Sequence, residues 1–224
     1  MILDLHNHTK WSFDCSMDPA RVVRVAKARG LDAIAITDHG EIGGALEARK
    51  AAGGDLLVIV GEEIDTDAGD ILGLFLRERI EATDALEAIA AIHAQGGVAV
   101  LPHPFSKTAS VDDRVAAALD ACEGFNARHS RVASVEGTEG EPRVSDFARR
   151  FDLSLTAGSD AHFLREIGRG RTIVPASSLE EAREAILRGD TVLSGRRSGP
   201  FNLLASSALR SLRRLIHPEP RSGD

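Results

Sequence analysis

The sequence predicts an α/β fold with parallel strands, and three observations support this. Short apolar runs alternate with longer amphipathic segments along most of the chain, which is the order that strands joined by crossover helices produce. The 224 residues are 43% hydrophobic, enough for one sizeable core. No glycine-rich phosphate loop follows the first apolar run, which counts against a dinucleotide-binding sheet. A closed barrel and an open doubly wound sheet both satisfy this order.

The predicted strands are eight apolar runs, at residues 2–5, 32–37, 56–60, 71–76, 97–101, 124–126, 153–157 and 191–194. Their content of Ile, Val and Leu is typical of strands buried on both faces.

Four helices are predicted between the runs, at residues 18–30, 41–53, 83–95 and 178–188. Asp18, Thr83 and Ser178 are N-cap candidates, because their side chains can accept hydrogen bonds from the first helical amides. Gly30 and Gly189 mark predicted helix ends.

Composition excludes several classes of protein. The formal net charge of −7 argues against stable binding of duplex nucleic acid, since such proteins usually carry a basic surplus. Two cysteines, Cys15 and Cys122, make no disulfide framework. No apolar stretch approaches the roughly 20 residues that span a bilayer, and the first residues lack the apolar run of a signal peptide. We therefore expect a cytoplasmic protein.

The chain is expected to divide near residue 200. Residues 1–200 carry the alternating pattern of the predicted α/β domain, whereas 201–224 suggest a short basic amphipathic helix and a tail. That helix would either pack on the barrel exterior or contact a partner or an anionic surface.

Polar side chains follow six of the predicted strands, at the carboxyl-end edge of the sheet, where sites form in parallel α/β folds. They are His6 and His8, Asp38 and His39, Glu62 and Glu63, His103, Asn126, and Asp160 with His162. Imidazole and carboxylate groups together suit zinc, manganese and iron. The sequence therefore predicts a metal cluster at this edge.

Spacing supports the same interpretation. His6 and His8 are two residues apart, so on a strand both rings face one side, and Asp160 with His162 repeats this geometry. A carboxylate such as Glu63 can bridge two cations.

Other polar residues keep a structural alternative. Asp38 could cap the helix at residue 41, and Asp14 could be a turn residue. His129 is open between ligand, substrate contact and surface residue. For Cys15 we expect packing in the core and not a reactive thiol. For His93, on a predicted helix, we expect a structural role and not metal binding.

At this point the motifs resemble those of the PHP (polymerase and histidinol phosphatase) superfamily. The residues that carry the resemblance are His6-Asn7-His8-Thr9, Thr37-Asp38-His39-Gly40, Gly61-Glu62-Glu63, His103-Pro104 and Gly158-Ser159-Asp160-Ala161-His162, in the family order. The strongest likeness is to small stand-alone phosphoesterases with stretches like LPHPF (101–105) and EGFNAR (123–128). The resemblance implies a distorted (β/α)7 barrel with parallel strands and outer helices.

The resemblance also implies two or three divalent ions, Mn, Zn or Fe, at the carboxyl-end face. It assigns His6, His8, Glu63 and Asp160 to one position; His103 with Glu63 to a second; and Asp14, His39 and His162 to a third. Within 69–73 only Asp70 could add a ligand, and position 14 carries Asp where some members have His. Asp160, His162 and Glu63 are the candidate catalytic residues.

The resemblance implies hydrolysis of a phosphomonoester or phosphodiester, in a nucleotide, a short oligonucleotide or a small-molecule phosphate. Cationic side chains bind a phosphate dianion through charge-assisted hydrogen bonds. The first candidates for substrate contact are Arg128, Arg169, Asn126 and Lys10, and further candidates are Lys107, Arg143 and Arg171. Two rivals stay open: an amidohydrolase-like amide or ester hydrolase, and a non-catalytic module with a structural or regulatory role.

Overall fold

A computed structural model describes residues 1–106 and 112–199. The strands are Ile2–Asp4 (β1), Ala33–Ile36 (β2), Leu57–Thr66 (β3), Gly69–Leu74 (β4), Val98–Leu101 (β5), Ala121–Asn126 (β6), Ser134–Gly137 (β7), Ser154–Gly158 (β8), Gly170–Ile173 (β9) and Val192–Arg196 (β10). The helices are Pro19–Ala28 (α1), Gly43–Ala52 (α2), Ala85–Ala94 (α3), Asp113–Ala116 (α4), Pro142–Phe151 (α5) and Leu179–Arg188 (α6). The strands form one sheet in the order β7-β10-β9-β1-β2-β3-β4-β5-β6-β8.

Seven strands of this sheet close into a ring at their carboxyl-end edge. β1, β2, β3, β4, β5, β6 and β8 are neighbours in sequence around the sheet. Just beyond β1 and β8, the Asp160 amide donates to the His6 carbonyl at 2.8 Å and the His8 amide to the Ala161 carbonyl at 3.0 Å. These bonds join the first strand to the last. The mixed α/β barrel with parallel strands is confirmed.

One strand of the ring runs against the others. β3 and β4 are antiparallel, joined by a tight turn at Asp67 and Ala68, and β4 is also antiparallel to β5. The sequence predicted parallel neighbours here. A two-residue connection cannot make the crossover that parallel strands need, and the lack of a helical pattern between runs 56–60 and 71–76 was the signal. The hairpin brings Asp70, at the start of β4, to the carboxyl-end edge.

An antiparallel ribbon of β9, β10 and β7 extends the sheet beyond β1. β9 lies so close to the end of β8 that a side chain at Gly170 would strike the Gly158 carbonyl. The Thr172 hydroxyl also donates to the Ala157 carbonyl at 3.0 Å. The ribbon thus pairs with β1 through β9 and packs against the end of β8.

The helices begin largely where the capping residues predict. Asp18 and Ser178 accept hydrogen bonds from the third residue beyond them, and Gly189 ends α6 in the left-handed conformation, which glycine adopts without strain. Thr83 is not a cap: Asp84 takes that role and accepts from the Glu87 amide at 3.0 Å.

The core lies on both faces of the sheet. In β2, Ala33 and Ala35 belong to one buried cluster and Ile34 and Ile36 to another, so both faces are covered, as the apolar runs predict. Among the described residues, no helix is long and apolar enough to cross a membrane. The helix and tail predicted at 201–224 lie outside the described residues.

Candidate metal centre

The ends of the strands bring the predicted ligands together at the mouth of the barrel. His6 and His8 lie on the continuation of β1 that pairs with the continuation of β8, where Asp160 lies. This pairing holds the two chain segments in register across more than 150 residues of sequence. Residues 6 and 8 therefore turn the same way, as the two-residue spacing predicts.

The innermost group is made of two imidazoles and two carboxylates. The Nε2 atoms of His6 and His8 lie 3.1 Å apart, and Oε2 of Glu63 is 3.3 Å from each of them. Oδ1 of Asp160 lies 3.5 Å from Nε2 of His8 and 3.9 Å from that of His6. All four residues are buried.

Hydrogen bonds on the far side of each ring fix which nitrogen faces inward. Nδ1 of His6 donates to Oε1 of Glu123 at 3.0 Å. Nδ1 of His8 donates to the Ser12 hydroxyl at 3.0 Å, because that hydroxyl itself donates to Oδ1 of Asp38 at 2.8 Å. When neutral, both rings therefore present an Nε2 lone pair to the centre.

These lone pairs converge on each other and on carboxylates, an arrangement that repels itself unless a cation lies between. The carboxylates around the rings favour positive charge at this centre. Burial acts to lower the pKa of His6, yet the carboxylates of Asp160, Glu123 and Glu63 raise it well above its ordinary value. For His8, burial and the nearby His162 lower the pKa to about 3. The donor set fits a divalent cation with nitrogen and oxygen ligands.

A second group lies on one side of this centre. Nε2 of His162 is 3.1 Å from Oδ2 of Asp14, and Nε2 of His39 is 3.7 Å from the same oxygen. Nδ1 of His162 donates to the Asp160 carbonyl at 3.1 Å, so its Nε2 also points inward as an acceptor. The His39 ring stacks on His8, with centroids 4.7 Å apart.

A third group lies on the other side. Nε2 of His103 is 3.1 Å from Oε1 of Glu63 and 4.0 Å from Oδ2 of Asp70. Because Oε1 of Glu63 faces His103 and Oε2 faces His6, His8 and His39, this carboxylate can bridge two ions.

Three sets of ligand atoms are close enough to hold an ion each: His8, Asp14, His39 and His162; His6, His8 and Asp160; and Glu63, Asp70 and His103. They overlap the three positions that the resemblance implies, with three differences: Glu63 is grouped with His103 and not with His6, His8 joins the set of Asp14, His39 and His162, and Asp70 joins Glu63 and His103. The sequence left Asp70 as a weak candidate, and the β3–β4 hairpin explains how it reaches the mouth.

Two of the ligands sit on strained backbone. Asp160 has φ of 50° and His103 has φ of 32°, values that residues with a side chain adopt rarely. Such strain persists only where the surroundings enforce it, and it is typical of functional sites. Here the interstrand bond from the Asp160 amide and the bond from the His103 amide to Oε2 of Glu123, at 2.7 Å, hold the two residues in place.

Sequence reasoning missed the residues that orient the ligands. Glu123 uses both oxygens, one on the His6 ring and one on the His103 amide. Oε2 of Glu166 accepts from the amide of His162 at 3.0 Å. Neither follows a strand end, so neither carried a positional signal.

The structural alternative for Asp38, a cap of the helix predicted at residue 41, is wrong. The N-terminus of α2, at Ile42, has no side-chain cap. Asp38 accepts from the Thr9 amide and hydroxyl at 2.5 and 2.7 Å. It also accepts from Ser12 and so supports His8.

The ligands open onto a cavity of about 720 Å³. Phe13, Arg79 and Arg128 line it together with the ligand groups. Arg128 is buried, and its Nη1 lies 3.5 Å from Oε2 of Glu166. Arg79 is half-exposed near Glu41 and Glu62, and Phe13 stacks on His39 with centroids 4.8 Å apart. The acidic centre thus has two guanidinium groups at its walls.

The other predicted substrate contacts fall in different places. Lys10 pairs with Glu47 at 2.8 Å and with Asp18 at 3.6 Å, away from the lining of the mouth. Arg143 lies over the Phe105 ring, 3.9 Å from its centroid. Arg169 and Arg171 line a separate cleft. Lys107 lies outside the described residues.

Two further candidates are near the centre. The carbonyl oxygen of Asn126 accepts from the amides of Arg128 and His129, both at 3.0 Å, so Asn126 shapes the loop that carries them. Nε2 of His129 lies 3.3 Å from Oδ2 of Asp160, and the ring lines the cavity. Burial lowers the pKa of His129 to about 4, which keeps the ring neutral and able to bind a cation.

Cys15 and His93 take their structural alternatives. Cys15 is fully buried, and burial raises the pKa of its thiol to about 12, so it is not a reactive thiolate at neutral pH. His93 is part-exposed and bonds Asp120 at 2.9 Å.

Comparison with known proteins agrees with this geometry. Residues 142–191 match the PHP-associated family PHP_C. One uncharacterized protein of Methanocaldococcus jannaschii is 39% identical over 143 residues, 58% of this chain and 84% of the relative. A second from the same organism is 32% identical over 178 residues, 75% of this chain and 68% of the relative.

The chain belongs to the PHP-domain family.

Solved structures share the fold of this PHP-domain chain. A two-domain protein of Bacteroides vulgatus, described as containing a predicted PHP-like metal-dependent phosphoesterase, has a TM-score of 0.71 at 23% identity, over 92% of this chain and 68% of that one. A candidate metal-dependent phosphoesterase of Bifidobacterium adolescentis has a TM-score of 0.60 at 20% identity, over 84% and 96%. An amidohydrolase of Chromobacterium violaceum, with bound sulfate, has a TM-score of 0.63 at 18% identity, over 82% and 96%.

Proposed function

We propose that the protein is a metal-dependent phosphoesterase that hydrolyses a small phosphomonoester or phosphodiester. The observation that carries the proposal is the convergence of imidazole lone pairs and carboxylates at one mouth. In detail, Nε2 of His6 and of His8 lie 3.1 Å apart with Glu63 and Asp160 against them. Divalent ions held there would supply an activated water and neutralise charge on the phosphoryl oxygens.

The residues of the chain divide the remaining tasks. Glu123, Ser12 and the Asp160 carbonyl hold the rings of His6, His8 and His162 with their Nε2 atoms turned toward the centre. Arg128 is the proposed phosphate contact, because its buried guanidinium lines the cavity. Its Nη1 makes no hydrogen bond to any described residue and has only the more distant Glu166 oxygen, at 3.5 Å, as an ionic neighbour. A guanidinium forks onto two phosphoryl oxygens at once. Asn126 positions Arg128 through its backbone amide.

The substrate class is set by size and charge. A cavity of about 720 Å³ accommodates a nucleotide, a sugar phosphate or the end of a short oligonucleotide, as ligand pockets of this volume do. Arg79 at the rim could meet a second anionic group. We propose manganese, zinc or iron as the metals, two or three per chain, because nitrogen and oxygen ligands suit all of them.

The amide or ester hydrolase is the second candidate, since an amidohydrolase shares the fold. Among the residues described as lining the mouth there is no lysine to bridge two ions, whereas two arginines suited to phosphate are present. A non-catalytic module would be expected to have lost ligands, yet all eight proposed ligands converge here.

The test is a phosphate-release screen. Metal is removed by chelation and restored as manganese or zinc, and nucleotides, sugar phosphates and short oligonucleotides are compared with amide and carboxylic-ester substrates. We expect metal-dependent release of phosphate or of a nucleotide from at least one phosphate ester. Turnover confined to amides or carboxylic esters would favour the second candidate, and inactivity of the metal-loaded protein on every substrate would favour the non-catalytic module.

A further inference from the structure

A second cleft, distinct from the metal mouth, is lined by arginines. It has a volume of about 620 Å³, and its charged lining residues are Arg29, Arg165, Arg169, Arg171, Arg196 and Glu136. Five cations therefore face one carboxylate, in a chain whose net charge is −7. Such a surplus on one surface favours an anionic ligand.

The arginines of this cleft are brought together by the ribbon and by the loop before it. Arg171 lies on β9 opposite Ser194 of β10, and Arg196, at the end of β10, donates its amide to the carbonyl of Arg169 at 2.8 Å. The register of the antiparallel strands therefore places these cations on one surface. Arg29 joins them from the end of α1, where its Nη1 donates to the Arg165 carbonyl at 3.0 Å and to the Ile167 carbonyl.

Three of the arginines, Arg29, Arg169 and Arg171, are held by backbone groups of the described residues. Within residues 1–106 and 112–199, the guanidinium contacts of Arg29, Arg169 and Arg171 are to carbonyl oxygens rather than carboxylates. Nε of Arg169 is buried and has no hydrogen-bond partner. Backbone carbonyls thus hold the side chains in place and leave their charge unpaired.

The electrostatics of Arg29 show the same surplus. Burial lowers the pKa of this guanidinium, and repulsion from Arg169 and Arg171 lowers it further. The Asp4 carboxylate acts in the opposite direction and raises this pKa, although its oxygens already accept from the Ser159 amide and hydroxyl and from the Gly168 amide. A surface that keeps guanidinium groups together against their repulsion is suited to a ligand that carries the missing negative charge.

The separation from the metal centre is set by the loop at 162–169. His162 lines the mouth, and the buried Glu166 contacts Arg128 of the mouth, whereas Arg165 and Arg169 line the cleft. The two anion-attracting surfaces therefore lie on either side of one short loop and share no lining residue.

We propose that this arginine cleft binds a small molecule carrying several phosphate-type groups, at a site separate from the metal centre. One phosphate would occupy only part of about 620 Å³ and would meet few of the five guanidinium groups. A ligand with several oxyanion groups could pair with most of them, each by a forked, charge-assisted contact. The proposal does not depend on the reaction at the mouth.

The test is calorimetric titration of the full-length, metal-loaded protein with inositol hexasulfate. This compound presents several oxyanion groups and has no phosphate ester for the metal centre to hydrolyse. We expect one molecule bound per chain, with affinity that falls as salt is added. Inorganic sulfate should bind much more weakly, since it reaches fewer arginines.

Three variants locate the binding. Arg169→Gln with Arg171→Gln should weaken it by about tenfold or more, the equivalent of about 1.4 kcal/mol. Arg196→Gln, at an exposed position, should weaken it severalfold and guards against misfolding of the first variant. The matched control is Arg183→Gln with Arg188→Gln, which removes the same charge from α6, where both arginines pair with acids. The control should bind as the wild type does.

Three results would overturn the proposal. If the wild type did not bind inositol hexasulfate, the protein would not bind this class of ligand. If all variants bound it with equal affinity, the binding site would lie outside the arginine cleft. Short single-stranded DNA that binds more tightly than inositol hexasulfate, and is lost in the same variants, would replace the small molecule by nucleic acid.

Discussion

The inner and outer halves of the proposed metal centre differ in how firmly the protein holds them. His6 and His8 are fully buried, and each ring is anchored through Nδ1 by a buried side chain. His39 and His103 are 22% and 10% exposed in their side chains, and Nδ1 of His103 bonds the exposed hydroxyl of Ser106 at 3.2 Å. Preorganisation is therefore concentrated at the shared inner position, and the outer positions are the adjustable part.

The largest effect is expected for His8→Ala. His8 belongs to two of the three ligand sets, so its loss should remove metal from both and abolish phosphate-ester hydrolysis. Metal content and phosphate release would be measured on the same samples. His93→Ala, a histidine part-exposed on α3, is the matched control and should retain both. Wild-type turnover by the His8 variant would contradict the proposed centre.

The next largest effect is expected in the pH dependence of metal binding, which should differ between the inner and outer positions. Burial acts to lower the pKa of His39, but Glu63 and Asp14 raise it to about 9, so this ring carries a proton at neutral pH until metal displaces it. Because the pKa of His39 is raised, protons compete with metal for this ring, and metal affinity falls as the pH drops below about 9. Affinity at the outer position should drop by about tenfold per pH unit, or about 100-fold between pH 8 and 6.

The measurement is metal binding by calorimetry in buffers of different ionisation enthalpy, which reports proton release directly. His39→Gln should release fewer protons when metal binds at the outer position. Proton release that is the same in the variant and the wild type would show that His39 is not displaced from a proton by metal.

Glu123→Gln tests whether anchoring explains the rigidity of the inner half. Glutamine keeps the shape but not the charge that holds the His6 ring and the His103 amide. Because the loss of such a supporting group typically costs about 10–100-fold in metal affinity or activity, we expect metal affinity to fall within that range. Glu136→Gln, at an exposed position on β7, is the control. Unchanged metal affinity in the Glu123 variant would assign the rigidity to packing alone.

The sequence predicted the ligands better than their supports, and the reason is topological. A ligand such as His103 or Asp160 follows an apolar run directly, so the position of the strand end predicts where its side chain goes. Glu123 lies within β6 and Asp38 was weighed as a cap, because the hydrogen bonds that define their roles reach across 117 and 29 residues of sequence. Only the assembled barrel shows those partners.

The same reasoning explains the arginines. Arg128 and Arg169 both follow polar strand-end motifs, and nothing in the spacing separates them. The antiparallel ribbon does, because β9 turns away from the ring and carries Arg169 and Arg171 to its own cleft. Helix α6 lies between β9 and β10, so the run at 191–194 fits the alternation from which parallel strands were predicted, yet β10 pairs antiparallel with β9 and β7. The alternation of helices and strands therefore did not reveal the direction of the ribbon.

The smallest effect is expected for Asp70→Asn. Oδ2 of Asp70 lies 4.0 Å from Nε2 of His103, at the least enclosed set of ligands, and asparagine keeps an oxygen that can bind metal. The ion shared with Glu63 should bind more weakly, by less than about tenfold, while the inner position keeps its metal. Asp65→Asn, on the facing strand, makes the same charge change without touching a ligand set. If the Asp70 variant lost all its metal, the two halves would not be independent, and the hairpin would belong to the rigid part of the centre.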